Sequence, residues 1–303
     1  MKADYPSLGL SRICRLLGIT RQAYYQHFWN SEFVKVEEQL ILQQVLAIRK
    51  DHRSMGGRKL YELLQPFLHE HQIKMGRDAL FDLLASNKLL IRRRPRRVFT
   101  TNSFHWLRNF PNLIREYQPV APNKLWVSDI TYLKTNAGFL YISFITDVFS
   151  HKIVGYHVAP TLDAIETLEA LKMALASIDQ SIPVDLIHHS DRGIQYCSSE
   201  YVTLLQNHNI KISMTENGDP LENAVAERIN GILKEEYLHH YKLGNLDQAK
   251  ETLKASVELY NKKRPHWSIG LLTPNSVHQL SLKTENLWKN RKSKATVVNS
   301  FQD

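Results

Sequence analysis

The chain has 303 residues, 43% of them apolar, and a formal charge of +9. That is enough length for two domains and enough apolar content for an ordinary buried core, which excludes a disordered polyelectrolyte. Its two cysteines, Cys14 and Cys197, lie far apart, which excludes a disulfide framework and a cysteine zinc cluster. The most apolar stretch, Gly138 to Val148, is too short to span a bilayer and contains Asp147, and the N-terminus lacks a signal-peptide hydrophobic region, so a cytoplasmic protein with no membrane partner is expected.

The charge is unevenly placed. Residues 1–120 carry 20 Lys+Arg against 10 Asp+Glu, and the remainder carries 19 against 20. The N-terminal two-fifths therefore suits a polyanion. Nucleic acid is favoured over an anionic membrane, because no basic amphipathic helix or lipidation motif accompanies the charge.

In chain order, "LSRICRLLGITRQAYYQHF" sets Ile13, Leu16 and Leu17 at helical spacing before Gly18, and Thr20 before Ala23, Tyr24 and Phe28. A glycine suited to the left-handed conformation and a threonine suited to capping predict a helix-turn-helix, with Arg21 and Gln22 opening the recognition helix; a plain helical hairpin fits the same pattern. A second helical unit is expected from Val45 and Ile48 through Leu60, Leu63 and Leu64 to Ala79, Leu80, Leu83 and Leu84. In it, "MGGRKLYELL" and "MGRDALFDLL" each place a Met-Gly turn before an amphipathic helix, and the first adds Arg58 and Lys59 to the candidate DNA contacts. Residues 1–90 form the expected helical DNA-binding region.

Residues 91–120 read as an arginine-rich linker. Arg92, Arg93, Arg94, Arg96 and Arg97 crowd together, and prolines follow at 111 and 119. A flexible basic linker also serves as a phosphate-binding arm.

From 121 to 280 the pattern becomes α/β. "LWVSDITYL", "FLYISFITDVF" and "KIVGYHVAP" predict three antiparallel strands. A helix from about Leu162, the strand "VDLIHHSD", a helix from about Ser199, the strand "IKISMT" and a long helix from about Pro220 follow. The order predicts a mixed sheet with helices on its faces. The polar tail, 281–303, offers no chemistry.

Asp129 lies in the first of these strands, Asp191 ends the fourth, and Glu227 lies on the late helix. If the crossover returns the fourth strand beside the first, the two aspartates meet and the helix can lay Glu227 over them. Convergent carboxylates cannot all stay ionised without cations, which points to magnesium or manganese. Glu222 is the rival glutamate, but Asp219-Pro220-Leu221-Glu222 reads as a capping box, a structural role. Lys234, seven residues beyond Glu227, returns to nearly the same helix face and suits phosphate. Asp147 reads better as a turn or pairing residue, and His188 and His189, adjacent on a strand, point to opposite faces and cannot easily share one ion.

Asp129, Asp191 and Glu227, with 35 residues between the last two, resemble the DDE transposases and retroviral integrases. "WVSDITYL", "FLYISFITDVFSHKIVGYHV", "HHSDRGIQYCSSEY", "SMTENGDPLENAVAERINGILKEE" and "YNKKRPHWSIGLLTPNSVH" resemble, in order, the integrase core of the bacterial insertion-sequence transposases encoded in two overlapping frames. "ICRLLGITRQAYY" and "MGGRKLYELL" are similar to that group's second-frame product. One departure is Glu222, where many relatives have aspartate. The resemblance implies an RNase H-like core in which the three carboxylates bind two Mg2+ or Mn2+ ions, nicking at element ends, and strand transfer by the freed 3′-hydroxyl. It also implies double-stranded DNA as partner, both terminal repeats and target. A homo-oligomer on DNA and an upstream-frame product, fused or in trans, are expected as well. Lys262, Lys263 and Arg264 would contact phosphate. A DNA-binding regulator with an inactive core and a hydrolytic nuclease remain as alternatives; joined product would distinguish them.

Overall fold

The computed structural model describes residues 9–91, 110–136, 138–178, 185–216, 223–241, 243–281, 284 and 287, and for 28 and 30–35 the backbone alone. The chain divides into two units, Met1–Arg94 and Pro95–Asp303.

The first unit is helical: α1 (Leu10–Leu16), α2 (Arg21–Asp51), α3 (Gly57–Glu70) and α4 (Arg77–Ser86). Gly18 takes a left-handed φ of 68° between α1 and α2, and Thr20 Oγ1 accepts from Ala23 N at 3.0 Å, so the turn chemistry is as the sequence suggests. One element differs. The stretch around Val45 and Ile48 is not a separate helix but the continuation of α2, which meets no glycine or proline between Arg21 and Asp51. Ile41 and Val45 on α2 pack with Leu60, Leu64 and Leu68 on α3 and Leu80, Leu83 and Leu84 on α4. Spacings of three and four residues place these leucines on one stripe of each helix.

The second unit is built on a five-stranded sheet of order β3-β2-β1-β4-β5. Its strands are β1 (Leu125–Thr135), β2 (Gly138–Asp147), β3 (Ile153–Ala159), β4 (Ile187–Ser190) and β5 (Lys211–Met214). The first three are antiparallel neighbours, and β4 and β5 join parallel to β1. This is the RNase H-like arrangement. Helices α5 (Ala164–Ala176) and α6 (Ser199–Asn207) cover one face, where Trp126, Ile145 and Val154 meet Ala170, Leu171, Ala174, Tyr201 and Leu205. The other face, with Leu133, Leu140, Ile142 and Phe144, is covered by α7 (Ala224–Ile232) and α8 (Leu246–Lys263). Alternate strand residues serve opposite cores, as a sheet covered on both faces requires. The last helix is α9 (Pro274–Leu280), with proline at its start.

Part of the stretch expected as linker runs beside the sheet. Leu113 N donates to Ser213 Oγ at 2.9 Å, Met214 N donates to Pro111 O at 3.3 Å, and Phe110 packs on the core under α6. No helix among the described residues is long and apolar enough to cross a membrane.

The tightest helix–sheet approach is at Gly155 on β3. A Cβ there would lie 2.2 Å from Ala170 O and 2.9 Å from Ala174 Cβ on α5. Gly155→Ala should therefore lift α5 from the sheet and lower stability by about 1–3 kcal/mol, read as a lower urea midpoint; an unchanged midpoint would contradict this packing.

Candidate active site

Two aspartates are brought level by strand register. In the parallel pair, Val127 stands opposite His189, the last matched residues. Two residues further along each strand are Asp129 and Asp191, so they sit side by side where β4 has ended. Asp129 pairs across the sheet with Phe144, whose side chain lies in the core beneath α7 and α8, so Asp129 faces that side. A covering helix on this face carries Glu227.

The aspartates are held by different partners. Asp129 Oδ1 accepts from Ile130 N at 2.9 Å and its Oδ2 from Asn230 Nδ2 at 2.7 Å. Asp191 Oδ1 accepts from Gly193 N at 3.0 Å, and a Cβ on Gly193 would stand only 3.0 Å from that same oxygen. Burial, then the charge of Asp191, and more weakly that of Glu227, raise the Asp129 carboxyl to about 7. Burial also raises Glu227. Among the described residues, no group of three or more His, Cys, Asp or Glu side chains is gathered into a ready ion cage. The site is thus a group of like charges, two of them level on adjacent strands, that a cation would relieve.

The remaining sequence candidates separate clearly. Arg21 and Gln22 are exposed at the start of α2; Arg58 is exposed and Lys59 half-buried at the start of α3. Arg92, Arg93, Arg94, Arg96 and Arg97 lie outside the described residues, as does the Asp219–Glu222 capping box; α7 begins after Asn223. Lys234 falls in a π-helical turn, Leu233–Tyr237, that follows α7, and its Nζ sits 3.8 Å from the centre of the Tyr132 ring on β1. Lys262 and Lys263 are exposed at the end of α8, Lys262 pairing with Glu258 one turn back.

Arg264 departs from expectation. It is 2% exposed, and its Nε and Nη2 grip Glu236 at 2.9 and 2.7 Å while Nη1 donates to the His266 ring at 3.0 Å. Its fork is spent inside the core, fastening the C-terminal segment to the π turn, and is not offered to phosphate. His266 is buried beside it, against Tyr260 and His151.

Asp147 is a buried turn residue, accepting from Asn123 N, Ser150 N and Ser150 Oγ. The strand histidines point apart, His188 bonding Tyr201 Oη and His189 bonding Ser213 Oγ. Burial pulls the His188 ring down to about 3, so it stays neutral. Two residues escaped the sequence reading: Asn230, which holds Asp129, and Asn223, whose Nδ2 donates to Ser128 O at 3.0 Å. Asn223 stands immediately before α7 and Asn230 three residues beyond Glu227 on it, and that placement around Glu227 was the available signal.

An RNase H-like sheet whose central strand carries Asp129, with Asp191 just past the neighbouring strand and a glutamate-bearing helix over that face, is the arrangement of an integrase-type core. The Integrase core domain family matches residues 119–220 and 208–274. The IS600 31 kDa protein of Shigella sonnei is 36% identical over 266 residues, covering 86% of this chain and 96% of that protein. The transposase of element IS629 from Shigella sonnei is 30% identical over 263 residues, with coverage of 84% and 86%. The transposase InsF of IS3A from Escherichia coli K12 is 27% identical over 283 residues, with coverage of 90% and 95%. Among solved structures, the HTLV-2 integrase catalytic core in complex with magnesium shares 21% identity at a TM-score of 0.44, covering 53% of this chain and 99% of that one. The chain belongs to the insertion-sequence transposases with an integrase core.

Two outcomes are expected. The folded state holds the Asp129 proton more tightly than the unfolded chain, whose ordinary value is 3.8. This group's stabilisation is therefore full near pH 4 and is lost as pH rises through about 7. In chelator, the melting temperature of Asp129→Asn relative to wild type should climb between pH 4 and 7 and level off above; a constant offset would contradict the assignment. Separately, Arg264→Met should lower stability by about 3 kcal/mol in urea, by leaving Glu236 unpaired, and leave the salt slope of DNA binding unchanged.

Proposed function

We propose that this chain nicks DNA at the ends of its insertion sequence and joins the freed 3′-hydroxyl to target DNA, using Asp129, Asp191 and Glu227. The observation that carries the reading is the β1–β4 register, which sets Asp129 level with Asp191 on the face covered by the Glu227 helix. The raised Asp129 carboxyl supports it, because a group of mutually repelling hard oxygen donors fits divalent magnesium or manganese. Asp129, Asp191 and Glu227 would hold two such ions, which when bound activate the attacking oxygen and stabilise the leaving oxygen of an in-line displacement at phosphorus.

The protein's own side chains then have separate duties. β1 and the end of β4 fix the two aspartates, and α7 brings the third carboxylate from the layer that covers this face. Lys234, whose ammonium lies over the Tyr132 ring, would meet a phosphate of the bound DNA. The exposed Lys262 and Lys263 and the 92–97 arginines supply charge along the duplex, with Arg21, Gln22, Arg58 and Lys59 on the helical unit. In nicking, water attacks phosphorus and the 3′-oxygen leaves as a hydroxyl. In joining, that hydroxyl attacks a target phosphodiester, one P–O bond forming as another breaks. Neither step needs a covalent protein–DNA link. The substrate is double-stranded DNA, terminal repeats and target, and the working form is a homo-oligomer on DNA, with an upstream-frame product fused or in trans.

Labelled DNA carrying the element flanks, with Mg2+ or Mn2+, tests the reading. Wild type should give nicked and joined products. Asp129→Asn, Asp191→Asn and Glu227→Gln should each lose both, by at least 1,000-fold (roughly 4 kcal/mol of barrier), while retaining DNA affinity. A fully active Glu227→Gln protein would overturn the assignment, and nicking without joining would make the enzyme a hydrolytic nuclease.

A further inference from the structure

We infer that the exposed face of α2 is a docking surface for a second copy of this chain, the two helices pairing antiparallel about a two-fold axis. The inference gives a surface to the homo-oligomer of the proposed function and rests on that reading for its purpose, but the pairing itself requires no DNA.

α2 carries two apolar faces. Ile41 and Val45 are fully buried in the core shared with α3 and α4. Tyr25, Trp29, Val36 and Leu40 are 41, 58, 55 and 38% exposed. At about 100° per residue these four fall within about 60° of one another, and the centre of their stripe lies about 150° round the helix from Ile41 and Val45. The Tyr25 and Trp29 rings lie together, their centres 6.1 Å apart. One apolar stripe is enough to seat a helix in its own unit, and a second on the opposite side marks a contact with something else.

The order of the side chains identifies the partner. Positions 25 and 40 share a midpoint with 29 and 36, between residues 32 and 33, so the stripe reads alike from either end except in size. Laid antiparallel on a copy of itself about that midpoint, the helix sets Tyr25 against Leu40 and Trp29 against Val36. Each large ring then meets a smaller aliphatic side chain, which keeps the two helices evenly spaced. Parallel pairing would set Trp29 on Trp29 and Val36 on Val36, a wedge open at one end. The antiparallel contact is isologous, each residue pair occurring twice. Beside the stripe, Gln26 and Gln39 are exposed and uncharged, so neither adds repulsion between copies. The four apolar side chains offer on the order of 400 Å² per copy, about 800 Å² in the pair. That is below the roughly 1,200–2,000 Å² of a stable interface, so the dimer is weak and reversible. The charge of residues 1–120, 20 Lys+Arg against 10 Asp+Glu, opposes it until salt or DNA screens it.

Sedimentation of the full chain without DNA, in about 0.3 M salt, tests the pairing. Wild type should dimerise with a Kd on the order of 10–100 µM. Trp29→Glu and Val36→Lys should each weaken the dimer at least about 10-fold and leave the melting temperature unchanged, because both side chains are exposed. Combining the two in one chain should recover pairing, since each glutamate then faces a lysine of the other copy. Orientation is read without those variants: Tyr25→Cys chains mixed with Leu40→Cys chains should form a disulfide-linked dimer under mild oxidation. Neither alone should, because like positions lie more than about 20 Å apart along an antiparallel pair. Cys14 and Cys197 are buried, so wild type serves as the blank. A chain that stays monomeric at several times the expected Kd, a dimer indifferent to both charge substitutions, or a crosslink from either cysteine variant alone would overturn the inference. So would a monomer whose own second unit shields Trp29, or an upstream-frame product that takes the stripe of a monomeric chain. None of these outcomes touches the carboxylates, whose failure is read separately as loss of nicking and joining.

Discussion

The parallel pairing of β1 with β4 runs only from Leu125 to Val127 against Ile187 to His189, and the geometry of the carboxylates depends on where it stops. Parallel neighbours in register point their side chains to the same face, so two residues past the last pair the aspartates emerge together. Gly193 keeps the following turn thin enough for its own N–H to reach Asp191. A one-residue slip in this short ladder would send Asp191 to the opposite face, among the residues under α5 and α6.

A short parallel ladder is a weak device by itself, and the surrounding layers explain why it holds. β1 is also paired antiparallel with β2 along nearly its whole length, and β2 with β3, so the central strand is clamped from its other edge. Beneath it, α5 approaches so closely that β3 carries glycine at the contact. Above it, α7 is registered by two amides, and the π turn beyond it is fastened by the Arg264–Glu236 pair. The C-terminal segment, far from the carboxylates in sequence, thereby anchors the end of the helix that bears Glu227. A buried bidentate pair of this kind is costly to desolvate, but once formed it strongly penalises loss of either partner.

Much of this was legible because periodicity and carboxylate placement survive without neighbours. Alternating β-branched residues announced β1 to β3, the helical stripes announced α3 and α4, and Gly18 with Thr20 marked a real turn. Asp129 and Asp191 stood out because an acid within a mostly buried strand or just past its end is not what packing alone would choose, and Glu227 through the 35 residues that separate it from Asp191. What escaped were the partners. Arg264 follows two lysines in "YNKKRPH", and a charge run reads as a solvated face unless its neighbour in space is known. Asn223 and Asn230 are unremarkable in a helix sequence; only the strand facing them turns an amide into a ligand for Ser128 and Asp129. The 31-residue α2 was divided by the reading because helix length depends on the absence of a breaker more than on any positive signal.

The sequence by itself determined the element types, their order, the basic bias of the first 120 residues and the identity of the acids, since these follow from local periodicity, turn chemistry and composition. Tertiary structure alone decided which acids meet, which cation is buried and which amide holds which oxygen. The physical reason is that hydrogen-bond register and desolvation are properties of pairs of surfaces. A residue's own neighbours in the chain set its conformation, but its charge state and its partner are set by the element that packs against it.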